Sequence, residues 1–158
     1  MVDEGDDAPD FTAPIARDGV EPFTLSEHLG DGPVVLAFFP GAFTSVCTSE
    51  MATFQEELDD FEEAGATVYG ISVDSPFSLD EFREQEGIEY GMISDTNKEI
   101  IEAYDVEMDF ADMGYHGLAK RATFVIDEDG EVAYRWVSDD PGVEPDYAEV
   151  AEAARAAA

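Results

Sequence analysis

The chain has 158 residues, 44% of them hydrophobic, enough for one domain with a real core and too many for a disordered acidic tail. Its formal net charge is −32, from thirty-nine Asp and Glu against seven Lys and Arg. So few cations cannot neutralise phosphates or hold an anionic membrane surface, which excludes nucleic-acid and membrane-surface binding.

The acid is spread along the whole chain rather than gathered in one block. That pattern points to a cytoplasmic protein of a halophile, because at ~1 M salt the screening length falls to about 3 Å and self-repulsion fades. A mesophilic protein with one acidic interaction surface is the alternative. The N-terminus "MVDEGDDAPD" lacks the basic start and apolar stretch of a secretory signal. No apolar run approaches the ~18 residues of a membrane span. A single cysteine, Cys47, forms no internal disulfide, so the fold does not depend on an oxidising compartment.

The first predicted element, "APDFTAP", has two prolines around a short apolar pair and reads as an extended or edge segment. "EPFTLSEHLGDGP" predicts a short strand and one helical turn ended at Gly30. "VVLAFFP" (34–40) is β-branched and aromatic without alternation, as in a central strand buried on both faces, and Pro40 and Gly41 stop it. A helix is expected over 47–64: Met51, Phe54, Leu58 and Phe61 recur at three and four on one face, and Gly65 ends it. "ATVYGISVD" is the next strand. Ser75 suits an N-cap and Pro76 the first position of a short helix through Phe82. "YGMISD" reads as a strand and "TNKEIIEAY" as a helix.

"DVEMDFADMGYHGLA" shows no clear period and reads as a loop. "ATFVIDEDGEVAYRWV" is a β-hairpin turning at 129–130. "EPDYAEVAEAARAAA" is a terminal helix starting near Pro145. With no repeat and no linker, residues 1–158 form a single α/β domain with a central mixed β-sheet flanked by helices. This order fits a thioredoxin-like fold, though the pattern alone does not separate it from a flavodoxin-like one.

Cys47 stands where a strand passes through a loop into a helix. A thiol at a helix start faces unpaired N–H groups and the positive end of the dipole, which favour thiolate, the reactive form. Cys47 is also in phase with Met51, Phe54 and Leu58, the pattern of an inert core cysteine. The surrounding residues bear on the choice. "PGAFTSVC" sets Pro40, Thr44 and Cys47 in the spacing P-x-x-x-T-x-x-C, which resembles the active-site signature of the peroxiredoxins, thiol peroxidases built on a thioredoxin-like fold. The resemblance covers most of the chain. "APDFTAP", "VVLAFFPGAFTSVCTSE", "VYGISVDSPFSLDEF" and "RATFVIDEDGEVAYRWV" follow in the family's order. With one cysteine, the chain is nearest the one-cysteine members and those similar to bacterioferritin-comigratory proteins.

The resemblance implies Cys47 as the peroxidatic cysteine, Thr44 as hydrogen-bond partner of the thiolate and the peroxide, and Pro40 as a shield against water. It implies Arg121 as the active-site arginine, whose planar permanent charge suits a thiolate and a developing oxyanion. Glu50 is either an orienting partner of Arg121 or a solvated helix residue. It further implies no cofactor, a peroxide substrate, an external thiol reductant such as a thioredoxin-like protein or a small thiol, and a homodimer. Lys120 reads as a surface residue. His28 and His116 have no metal-ligand spacing, and a cysteine–histidine pair using His116 stays open. The aromatics and methionines of "MDFADMGY" either wall a peroxide pocket or pack in the core or a dimer contact. Two rivals remain. A thioredoxin-like disulfide reductase would want C-x-x-C, where the chain has "CTSE". A non-enzymatic acidic binding or holdase domain would leave Cys47 inert.

Overall fold

The computed structural model describes residues 2–158. Its centre is β3 (Val34–Phe38), every residue of which is buried. Val35 and Ala37 face one apolar cluster and Val34, Leu36 and Phe38 face the other. An unbroken apolar run is what such a strand requires, since both of its faces are covered.

Around it the sheet has seven strands: β1 (Thr12–Ala16), β2 (Val20–Thr24), β3, β4 (Thr67–Ser72), β5 (Gly91–Ser94), β8 (Arg121–Ile126) and β9 (Val132–Ser138), in the order β2-β1-β5-β4-β3-β8-β9. Strands β3, β4 and β5 are parallel, while β1, β2, β8 and β9 join antiparallel. The expected mixed sheet is therefore present. The β8–β9 pair is the expected hairpin, closed by Gly130 N–H on Asp127 O at 3.0 Å.

Helices α1 (Ser45–Glu56), α2 (Leu58–Glu63), α3 (Pro76–Glu86) and α5 (Tyr147–Ala157) bury Met51, Phe54, Phe61, Leu79, Phe82 and Val150 on one face. On the other, α4 (Glu99–Ala103) and the segments around it place Ile100, Ile101 and Tyr104 against Phe38 and Phe124. Helix α1 lies close on the sheet because Gly70 of β4 has no side chain. A Cβ there would stand 3.3 Å from Met51 Sδ and 3.2 Å from the Phe39 ring.

Three expectations change. The helix expected over 47–64 is two helices, starting at Ser45 and broken at Glu57 (φ −91°, ψ 4°). The Glu57 carbonyl is shared by Asp60 N–H at 3.0 Å and Phe61 N–H at 3.4 Å, a tightened turn. It redirects Leu58 and Phe61 toward the sheet, and no cation in this acidic stretch supports a continuous helix. The helix from Pro76 runs one turn past Phe82 to a left-handed Gly87, with Ser75 capping through Ser78 N–H at 3.2 Å. The segment expected as a loop contains β6 (Glu107–Phe110) and β7 (Tyr115–Ala119), a small antiparallel sheet with a register shift between Met108 and Phe110. Strand β6 does alternate exposed and half-buried residues, so its period of two was readable over that short stretch.

Candidate active site

Residues 39–44 link the carboxyl end of β3 to α1. Asp74, just after β4, holds this loop: its Oδ2 accepts the Ala42 N–H at 2.8 Å and the Ser72 hydroxyl at 2.6 Å. Phe43 sits in the left-handed region (φ 68°), strained for an aromatic residue, and packs edge-on against Phe82 at 5.3 Å. The loop is thus held in one course into the helix.

Cys47 is the third residue of α1. The first intrahelical bond, Thr48 N–H to Thr44 O at 2.9 Å, leaves the N–H groups of Ser45, Val46 and Cys47 without helical acceptors. The Thr44 side chain does not cap them. Its hydroxyl donates to Gly41 O at 2.8 Å, so the hydrogen bond expected from Thr44 to the sulfur is replaced by a local turn contact. Pro40 is buried, and Thr44 is exposed at the mouth of a cavity of about 230 Å3 on which both border. Cys47 and Arg121 lie deeper in that cavity, at 2% and 1% exposure.

Arg121 opens β8, 74 residues from Cys47 in sequence, and its Nη2 reaches the sulfur at 3.2 Å. Its Nη1 donates to Glu50 Oε1 at 2.8 Å, and Nε and Nη2 donate to Pro141 O at 3.1 and 2.7 Å. Three partners therefore fix the plane of the guanidinium. Burial by itself would weaken the Arg121 charge. The Glu50 carboxylate and the Cys47 sulfur reverse that and hold the group above the ordinary arginine range. Glu50 is fully buried, so of its two readings the structure takes the orienting one. Burial pushes its carboxyl up to about 8 against the pull of Arg121, with Glu144 adding to the rise.

The four expected site residues thus share one cavity. His116 does not join them: it is exposed on β7, 3.6 Å from Asp109, and is absent from the cavity wall. Lys120 pairs with Asp139 at 2.8 Å, and His28 stacks on Phe23 at 4.3 Å. The wall also includes Phe110, Pro141 and Gly142. Phe110 comes from the "MDFADMGY" stretch, where a pocket wall was one of the readings. Pro141 and Asp74 were missed. The Pro-Gly of "SDDPGVEP" marks a turn after β9, but nothing in the sequence places that turn's carbonyl on Arg121. The second cysteine that a disulfide reductase would carry is replaced by Glu50, whose carboxylate orients Arg121.

Comparison with known proteins bears on the family. The AhpC/TSA family pattern matches residues 4–135. The chain is 35% identical over 132 residues to peroxiredoxin Bcp of Escherichia coli, covering 82% of each. It is 34% identical over 144 residues to alkyl hydroperoxide reductase C of Helicobacter pylori, covering 85% of this chain and 70% of the relative. The crystal structure of peroxidoxin BcpB from Mycobacterium tuberculosis superposes with a TM-score of 0.85 at 33% identity, over 99% of this chain and 98% of that one. With the signature, the fold and these similarities in agreement, the chain belongs to the AhpC/TSA family as a peroxiredoxin, a thiol-dependent peroxidase of the Bcp-like, one-cysteine type.

Proposed function

We propose that Cys47 is the peroxidatic nucleophile, that Pro40, Thr44 and Arg121 complete its active site, and that the enzyme reduces hydrogen peroxide and alkyl hydroperoxides. The observation that carries this reading is the 3.2 Å contact from Arg121 Nη2 to Cys47 Sγ inside a cavity open to solvent. A buried sulfur needs compensation to ionise, and a fixed guanidinium beside free helix N–H groups supplies it.

The thiolate attacks the terminal oxygen of the peroxide. The S–O bond forms as the O–O bond breaks, sulfur loses two electrons to the peroxide, and the leaving oxygen takes up a proton as water or alcohol. Arg121 and the loop N–H groups face the charge that develops, and Thr44 turns its hydroxyl from Gly41 to the same oxygen. By analogy with oxyanion donors Arg121 and the N–H groups are each worth about 3 kcal/mol, and Thr44, which first gives up its bond to Gly41, is worth roughly half of that. Pro40 keeps bulk water from the sulfur. Similarity to an alkyl hydroperoxide reductase supports alkyl hydroperoxides as substrates.

Recycling uses an external thiol, a small thiol or a thioredoxin-like protein, because the chain has no second cysteine. The first thiol displaces water from the sulfenic acid to form a mixed disulfide. A second thiol releases Cys47 and leaves as the oxidised disulfide. Peroxide consumption with a small thiol reductant tests the whole cycle. Cys47→Ser should abolish turnover with the fold intact, and undiminished turnover in that variant would overturn the assignment.

The setting belongs to the same proposal. A charge of −32 fits the cytoplasm of a halophile. Among the described residues, no helix is long and apolar enough to cross a membrane. A homodimer is supported by Phe43 and Phe77, 52% and 73% exposed, with Phe43 packed on the helix whose first turn carries Phe77. Sedimentation in molar salt should report a dimer, and a monomer at all concentrations would remove that part.

A further inference from the structure

Glu50 is the buried acid of the site, and its two oxygens are served differently. Oε1 accepts from Arg121 Nη1 at 2.8 Å. Oε2 is buried and has no hydrogen-bond partner among the described residues. The sulfur of Cys47 takes an N–H of the same guanidinium at 3.2 Å.

The other groups around Glu50 offer no relief. Glu144, between β9 and α5, adds negative charge. Tyr147 of α5 gives its hydroxyl to Glu144 at 2.5 Å, and Tyr90, ahead of β5, gives its own to Met51 O at 2.6 Å. Arg83 of α3, the other buried arginine, is turned to the carbonyls of Tyr90 and Glu89 at 2.9 Å each. Arg121 therefore serves two potential anions, both of them buried. Ionising both would leave one buried negative charge uncompensated, which a low-dielectric interior strongly disfavours.

We propose that Glu50 and Cys47 share one proton: Glu50 carries it while Cys47 is a thiolate and gives it up when the sulfur is oxidised, so that Arg121 faces one anion at a time. This rests on the peroxidatic role of Cys47. Geometry alone sets the competition. The rise of the Glu50 carboxyl to about 8 puts it where one neighbouring charge decides its protonation.

The step balances. Before attack the site holds a thiolate, a protonated Glu50 and the Arg121 cation. Attack forms the S–O bond, breaks the O–O bond and leaves an alkoxide that takes up a proton. The sulfenic acid is neutral, so Glu50 ionises against Arg121, and its proton balances the one that the alkoxide gains. Glu50 is fully buried and not on the cavity wall, so it does not hand its proton directly to the leaving oxygen, and the two protons balance in the net count. Glu50 acts through Arg121 as a positioning and charge-balancing residue, and the net charge of the site is the same before and after oxidation.

The test is a single turnover with limiting hydrogen peroxide near pH 8 in weak buffer. A pH indicator counts protons taken up per peroxide, infrared difference spectra follow protonated carboxyl, and intact mass is read on the same sample. The wild type should take up well under one proton per peroxide and lose a protonated-carboxyl band on oxidation. Glu50→Gln should take up one proton and show no such band. A full proton taken up by the wild type, or oxidation with no loss of carboxyl signal, overturns the proposal. If Glu50→Gln does not fold, the wild-type band is compared with Cys47→Ser, in which peroxide should leave the carboxyl region unchanged. A mass that gains no oxygen at Cys47 would instead overturn the peroxidatic role, and this proposal with it.

Discussion

The two ends of the parallel strands each carry an arginine and a cavity of about 220 to 230 Å3, yet they differ in kind. At the amino end, between Ala66–Tyr69 and Glu89–Gly91, Arg17 is a surface residue whose partner is Glu21, at 3.3 Å. At the carboxyl end, Arg121 is buried and divides its donors among a carboxylate, a carbonyl and a sulfur. An exposed pair in water contributes ~0–1 kcal/mol and orders little. A buried guanidinium with fixed partners meets charge that develops beside it without reorganising. Equal volume therefore says nothing about chemistry. The carboxyl ends of the strands are also where open α/β sheets leave loops and helix N-termini free to hold ligands.

Arginine replacements sharpen this comparison most. Arg121→Ala should slow peroxide attack on Cys47 by ~100-fold or more, the usual loss for a main oxyanion donor. Arg17→Ala should leave the rate unchanged and stability within ~0.5 kcal/mol. Stopped-flow oxidation of Cys47 in both variants checks this, and equal rates would erase the distinction between the two ends.

Salt should act on both ends alike, because the acids cover the whole chain. Repulsion among them draws on the ~5–15 kcal/mol that a domain has to lose, and ~1 M chloride screens it beyond about 3 Å. The thermal midpoint should rise steeply from dilute buffer to molar chloride. A flat midpoint would mean that the charges are locally compensated and would remove the halophile reading.

Glu50 should leave a pH signature that the amino end lacks. Its carboxyl is raised by burial from 4.5 to about 8, so the folded state binds that proton more tightly than the unfolded state does. From this group, stability is greatest below about 4.5 and falls as pH rises to about 8. The thermal midpoint of the wild type minus that of Glu50→Gln should therefore decline across that window. A difference that is constant with pH would contradict the burial argument. The smallest effect expected is that of Thr44→Val. It removes one exposed bond to Gly41, about 1 kcal/mol of stability, and should slow peroxide attack about tenfold. An unchanged rate would confine Thr44 to the turn.

Much of this was legible because the physics is local. Strand β3 announces its double burial through an unbroken apolar run, and Ser75-Pro76 marks a helix start by cap chemistry. Cys47, Thr44 and Pro40 lie within eight residues, and their spacing carried the resemblance. What was not legible depends on distant partners. Glu57 looks like any residue of an acidic helix, and nothing in its own identity marks the break that turns Leu58 and Phe61 onto the core. Strands β6 and β7 pair with each other through a shifted register, and the period of two that β6 shows over four residues does not reveal that partner. The carbonyl of Pro141 reaches Arg121 from twenty residues away, and no sequence spacing encodes that contact.

The buried sulfur beside Arg121 is either a nucleophile or packing. Intact mass and peptide mapping after one equivalent of hydrogen peroxide, with a sulfenic-acid trap present, decide it directly. The wild type should carry the trap at Cys47, the sulfenic oxygen leaving as water as the S–C bond forms, while Arg121→Ala acquires it far more slowly under the same conditions. An unmodified Cys47, with the oxygen lost to methionine or left in unreacted peroxide, would show the cysteine to be inert core and contradict the reading of this cavity as a peroxidase site.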